Sequence, residues 1–232
     1  MKSNTIQLEN RGFVIKGVEN NYLNTSFEQR IGLIKSNLAT DRTLGARLLA
    51  RSAKVLAIDY LIEALILEQK LYSKIEICNS LVSFGKEAVI PLIALIGKIR
   101  NKQYLEIPAV DFKKVNYPLP RDIASRTLIR IGSIALPDLL NFLNCNDQTR
   151  ISEAIDAIGF ICFYENQPEV YKELKNCFYH NSENDLIKWK IFRAMSAFAE
   201  SESFLNEQKQ QLLSERIKSE IERSLLLIKK RT

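Results

Sequence analysis

The sequence predicts an all-α fold of stacked helical pairs, and three observations predict it. Glycine and proline are scarce, 8 and 6 in 232 residues, too few for the tight turns of a β-rich chain and suited to long helices with short connections. One helix-face pattern recurs: Ile77, Leu81 and Phe84 precede Gly85; Ala124, Leu128 and Ile131 precede Gly132; Ile151, Ile155 and Ile158 precede Gly159; Ile191, Met195 and Phe198 precede Ala199. In each set the offsets are eight, four and one, which lie on one side of a helix. Finally, Gly85 leads to Pro91 and Gly132 to Pro137, each followed by an apolar run. Glycine closing one helix and proline in the first turn of the next is the asymmetry of an αα-hairpin.

In chain order, residues 1–24 are polar and rich in asparagine, and Thr25 or Ser26 is placed to cap a helix over Phe27 to Leu38. Ala57, Ile58, Leu61 and Ile62 align with Ala88, Val89, Leu92 and Ile93 one unit later, which puts an earlier helix end at Lys54. The five markers Lys54, Gly85, Gly132, Gly159 and Ala199 are then 31, 47, 27 and 40 residues apart (85 − 54, 132 − 85, 159 − 132, 199 − 159). The long interval is one unit plus an insertion (47 − 31 = 16), and residues 100–120 are its place, because Pro108, Pro118 and Pro120 break the helical pattern there. From Ser203 a polar helix carries the stripe Leu205, Leu213, Ile217, Ile221, Leu225 and Ile228, enough to close the last unit while its outer face stays in water. Lys229, Lys230 and Arg231 sit at its C-terminal dipole end.

The unit formed by GKEAVIPLIALI and the helix ending in Arg130-Ile131-Gly132 resembles the HEAT-like repeats of the phycobilin-lyase type, over about residues 40–200. The resemblance implies an α-α superhelix: one HEAT-like solenoid domain over residues 1–232, of about five helical pairs with a C-terminal capping helix over 203–232. It also implies that second helices line a concave face. Each pair hides its apolar flank only against the next. Repeats of this kind serve as scaffolds, adaptors, nucleic-acid binders and occasionally enzymes, so the fold does not choose the function.

Several function classes find no support. No apolar run approaches the roughly 18 residues that span a bilayer, since Val89 to Ile99 is interrupted by Pro91. The N-terminus lacks the apolar stretch of a secretory signal, so a cytoplasmic protein is expected. Cys78, Cys145, Cys162 and Cys177 contain no CxxC; Cys78, Cys162 and Cys177 read as small core residues and Cys145 as a turn residue. The single histidine, His180, stands three residues after Cys177, and two ligands do not make a metal site. Asp59 and Glu63, one turn apart, read as a solvated ridge. No glycine-rich phosphate loop is present. The expectation is a protein that is not an enzyme and needs no cofactor or metal.

The charge is uneven. Residues 1–130 hold 20 Lys/Arg and 12 Asp/Glu, whereas residues 131–232 hold 13 and 15. Arg47 and Arg51 are four apart, as are Arg126 and Arg130, so each pair projects from one side of a helix. The insertion adds Lys113, Lys114, Tyr117 and Arg121, beside Tyr104 and Phe112. Arginine forks with aromatic platforms suit phosphates, carboxylates and exposed peptide or base surfaces. These residues are the candidate partner-binding set, with one competing role: helix arginines can pair with neighbouring acids, here Glu76, Glu87 and Asp122. On the fourth unit Glu153 and Asp156 would interrupt a basic stripe. The reading is a scaffold or adaptor that grips an acidic protein through a basic concave face and the 100–120 insertion. The alternative is nucleic-acid binding, as in the HEAT-like DNA glycosylases that resemble this chain in size, although Trp189 near Asp185 does not fit their pattern. A lyase-like or chaperone role rests on the repeat resemblance alone.

Overall fold

The computed structural model describes residues 4–99 and 103–231, which hold α-helices, short 3-10 turns and no strand. The chain divides into two compact units, Met1–Leu92 and Ile93–Thr232. Among the described residues no helix is long and apolar enough to cross a membrane.

In the first unit, α1 (Thr5–Glu9) and a 3-10 turn (Val18–Tyr22) lead to α2 (Phe27–Ile34), α3 (Ala39–Arg51), α4 (Ala57–Leu67) and α5 (Leu71–Ser83). Ser26 caps α2 in a reciprocal box: its Oγ accepts the Gln29 N–H at 3.2 Å, and Gln29 Oε1 accepts the Ser26 N–H at 2.7 Å. The helix ends at Ile34, four residues short of the expected Leu38. There Arg42 donates to the carbonyls of Ser36 and Asn37, while Ser36 bonds Asp41, so polar groups take over the backbone and Leu38 turns extended ahead of α3. α3 packs on α2 and α5, and α4 packs on α5. Leu44, Leu48 and Leu49 of α3 and Ile77, Cys78 and Leu81 of α5 are buried in the core. Small buried hydroxyls seal the α3–α5 seam: Thr43 donates to the Gly12 carbonyl, Ser73 to that of Ala39 and Ser80 to that of Ala46.

The division falls inside α6 (Val89–Leu95), which follows α5 through Gly85 and a 3-10 turn. In the second unit α7 (Ile123–Ile131) ends at Gly132, and a 3-10 turn leads into α8 (Leu136–Phe142) with Pro137 in its first turn. Gly85 and Gly132 have φ of 57° and 83°, a backbone open to glycine at little cost. Then come α9 (Gln148–Tyr164), α10 (Val170–His180), α11 (Asp185–Met195), α12 (Glu202–Lys209) and α13 (Glu215–Arg231). α7, α9, α11 and α13 pack in series, each on the next, and α8, α10 and α12 each pack on the helix that follows.

Two expectations are corrected. Gly159 does not close a helix, because α9 runs on to Tyr164. Taking the helix C-caps Ser52, Phe84, Gly132, Glu165 and Ser196 as markers, the spacing becomes 32, 48, 33 and 31 (84 − 52, 132 − 84, 165 − 132, 196 − 165). The spacing of these helix ends is regular except where the insertion lengthens it. The helix end expected at Lys54 likewise falls earlier: α3 stops at Arg51 with its C-cap at Ser52, and Ala53 is left-handed, φ 51°. Second, the C-terminal segment is not one helix. It breaks after Lys209, so α12 and α13 form a further pair, with Ile217, Ile221 and Ile228 buried as the stripe requires.

Candidate interaction surface

The candidate basic residues fall into two groups of different environment. In the first unit, Arg47 is 11% exposed at its side chain and engages two acids at once, Glu19 at 3.1 Å and Glu76 at 2.9 Å, while donating to the carbonyls of Val14 and Ile15. Arg51 donates to Glu19 at 3.0 Å and to Asn20 at 2.8 Å. Both arginines therefore staple the N-terminal segment onto α3. Burial pushes the Glu19 carboxyl up, but its own N–H, that of Gly17 and the Arg47 guanidinium outweigh it and hold the group below the usual carboxylate value.

The second unit holds the rest. Lys113, Lys114, Arg121, Arg126 and Arg130 are exposed, and among the described residues none of the five is paired with a carboxylate. Arg126 and Arg130 are the only exposed positions of α7, whose remaining faces are buried or half-buried. Arg126 Nε donates to the Pro120 carbonyl, and Arg121 lies 4.0 Å over the Tyr104 ring. Asp122 forms no ion pair among the described residues: it caps α7 through the Ser125 N–H and accepts from the Gly97 N–H and Gln103.

Tyr117 differs from its companions. It is 2% exposed, its ring packs against Phe160 and Phe163, and its hydroxyl presses on Gly159 without a hydrogen-bond partner. Burial, then the nearby Asp156 charge, pushes its phenol well above the ordinary value. This residue anchors the insertion and presents no surface to a partner. The rest of the described insertion is clamped by one side of α13: Arg216 donates to the Ile107 carbonyl, Ser219 to Asp111, and Arg223 to the carbonyls of Lys114 and Asn116. Residues 100–102 lie outside the described part.

Beneath the insertion runs a buried ionic chain that periodicity did not disclose. Lys190 bridges Glu153 (2.7 Å) and Asp156 (2.9 Å); Arg193 reaches Asp156 (3.8 Å) and Glu220 (3.3 Å); Arg223 closes on Glu220 (2.6 Å). Three acids balance three bases, and the chain ties α9 to α11 and α11 to α13. Glu153 and Asp156 thus lie inside the unit and interrupt no surface stripe. Burial outweighs the Lys190 contact and raises the Glu153 carboxyl. Trp189 is buried under Arg193, 3.8 Å from its ring, with Tyr104 edge-on. A reader of sequence could have suspected this chain from the charged residues that interrupt the apolar pattern of α9 and α11. Nothing in the sequence says that they meet.

The cysteine and histidine positions follow their environments. Cys78, Cys162 and Cys177 are buried and Cys145 is half-exposed, all free thiols; burial pushes Cys162 to about 12 and Cys177 to about 11, so both stay protonated near neutrality. His180 is exposed and lines a cleft of about 560 Å³ with Cys145, Cys177 and several side-chain amides. Among the described residues no group of three or more His, Cys, Asp or Glu is arranged to hold a metal ion. Asp59 and Glu63 are exposed, and Glu63 pairs with Lys35 at 3.3 Å. Comparison with protein-family models and with curated proteins finds no match.

Proposed function

We propose that this chain is a non-catalytic interaction scaffold, a HEAT-like superhelix acting in the cytoplasm, that grips an acidic protein partner through Lys113, Lys114, Arg121, Arg126 and Arg130. The serial packing of α7, α9, α11 and α13, each backed by a helix of the other layer, supports the superhelical reading. Four free thiols suit a reducing compartment.

One observation carries the functional reading. The cations inside each unit are committed: Arg42, Arg47, Lys190, Arg193 and Arg223 to acids of the same unit, and half-buried Arg30 and Arg150 to backbone carbonyls, whereas among the described residues five exposed cations on α7 and the insertion have no carboxylate partner. Unpaired surface charge of one sign raises association rates and selects partners of opposite sign. Arg47 and Arg51 drop out of the proposed contact set because their guanidinium groups are already committed. The reading requires no cofactor.

The test is capture from cell extract by the wild-type chain and by the variant Arg126→Glu/Arg130→Glu, followed by binding measurements on the partner identified. Charge reversal should weaken binding at least about tenfold, with the loss shrinking at high salt as the interaction is screened. Unchanged capture of every partner would remove this surface from consideration. Binding of a short DNA duplex that weakens steeply with salt, without a protein partner, would favour the nucleic-acid alternative.

A further inference from the structure

We infer that the 103–121 insertion is a preformed dock for an acidic amphipathic segment of another protein. Its exposed aliphatic side chains receive the apolar residues of that segment, and its lysines receive the carboxylates. The inference rests on the reading above and narrows the partner from any acidic surface to a segment that mixes acids with aliphatic or aromatic residues.

The physical oddity is where the insertion puts its apolar groups. Tyr117 is sunk in the core, Tyr104 packs on Trp189, and Arg216, Ser219 and Arg223 hold the backbone. With so many anchors the segment needs no further apolar residue to stay in place. Yet Leu105, Val110, Val115 and Leu119 are 81%, 79%, 60% and 61% exposed. Single exposed aliphatics are ordinary, but four within one clamped connection supply the apolar area that an interaction site needs.

Charge complementarity names the occupant. Lys113, Lys114 and Arg121 stand exposed among these aliphatics without carboxylate partners, while of the insertion's own acids Asp111 accepts a hydrogen bond from Ser219 and Glu106 stands beside Leu105, away from the two lysines in sequence. Nucleic acid would reward the lysines and leave the aliphatics in water. Two clefts of about 490 and 530 Å³ flank Leu105: the first sets Lys98 and Arg150 against Asp147, whereas the second holds Glu106, Asp185 and Glu215 with Arg216, so the first is the one suited to the acidic segment. Concave space of this size accepts individual side chains, which a peptide offers and a lipid surface does not.

The experiment is selection of short random peptides displayed on phage against the full chain. Affinities of the winners are then measured for the wild type, for Leu105→Ser/Val110→Ser/Val115→Ser/Leu119→Ser and for Lys113→Glu/Lys114→Glu. Enriched peptides should combine acids with aliphatic or aromatic residues, and both variants should weaken them at least about tenfold. Peptides that depend on the lysines but bind the serine variant equally well overturn this inference and leave the acidic-partner reading standing. Peptides insensitive to both variants, or no enrichment at all, overturn it together with the basic surface. Stronger binding to phosphatidylserine vesicles or to a DNA duplex than to any peptide also overturns it. So does self-association of the chain that the serine variant abolishes. Thermal unfolding of the serine variant should match wild type because all four side chains face solvent; should it melt early, Val110→Ser alone repeats the comparison.

Discussion

At the residue scale, one substitution type separates two roles of glycine. Gly159 lies in mid-helix, and a Cβ there would strike the Tyr117 hydroxyl and ring and the Ala194 methyl, the last at 2.8 Å. Tyr117 is fully enclosed and cannot retreat. Gly159→Ala should therefore lower stability by about 2 kcal/mol, the cost of overpacking a closed core. Gly32, at an exposed position of α2, has nothing within 4 Å of its Cβ direction. Gly32→Ala should instead raise stability by about 0.5–1 kcal/mol, because alanine loses less backbone entropy in a helix. Denaturant unfolding of both variants checks the opposite signs; equal effects would contradict the packing around Tyr117.

At the scale of elements, α13 does two jobs. Its buried face closes the series of packed helices through Ile217, Ile221 and Ile228, and its exposed edge clamps the insertion through Arg216, Ser219 and Arg223. The double variant Arg216→Ala/Ser219→Ala keeps the Arg223–Glu220 pair while removing two holds on residues 107–111. Each hold is worth on the order of 1 kcal/mol or less at an exposed site, so opening of the insertion should increase roughly threefold to tenfold. Limited proteolysis should show faster cleavage within 103–116 at an unchanged global melting temperature. An unaltered cleavage rate would mean that Tyr117 and Tyr104 alone fix the segment.

At the scale of the whole molecule, acid should act on the two units with opposite sign. In the first unit Glu68 is buried; burial raises its carboxyl, but the bidentate Arg42 contact (2.7 and 3.0 Å) and the N–H groups of Lys70 and Gln69 bring it below 4.5, as Glu19 is also brought below. A depressed folded-state value gives stability that is present above about 4.5 and lost as pH falls through the lower value. Glu153 in the second unit is raised above 4.5 by burial. Its contribution runs the other way: it is full below 4.5 and declines as pH rises through the raised value. Hydrogen exchange measured on acidification should lose protection first within residues 4–92, and Glu68→Gln should flatten that dependence. Earlier loss within the second unit would show that its ionic chain, and not Glu68, governs acid sensitivity.

The sequence by itself determined the helical class, a cap at Thr25 or Ser26 ahead of α2, the glycine and proline turns at Gly85–Pro91 and Gly132–Pro137, and the position of the insertion. These are local matters, decided by side-chain periodicity and backbone freedom within a few residues. Only the tertiary structure decided the rest. The face pattern before Gly159 matched a helix end, but glycine also serves where a neighbour comes too close for a Cβ, and Tyr117, forty-two residues earlier (159 − 117), is that neighbour. Arg47 and Arg126 look alike in sequence, each followed four residues later by another arginine; Glu19 and Glu76 neutralise the first, and no acid among the described residues meets the second. A charge is free or spent according to what the fold brings beside it, and such long-range meetings leave no mark on periodicity.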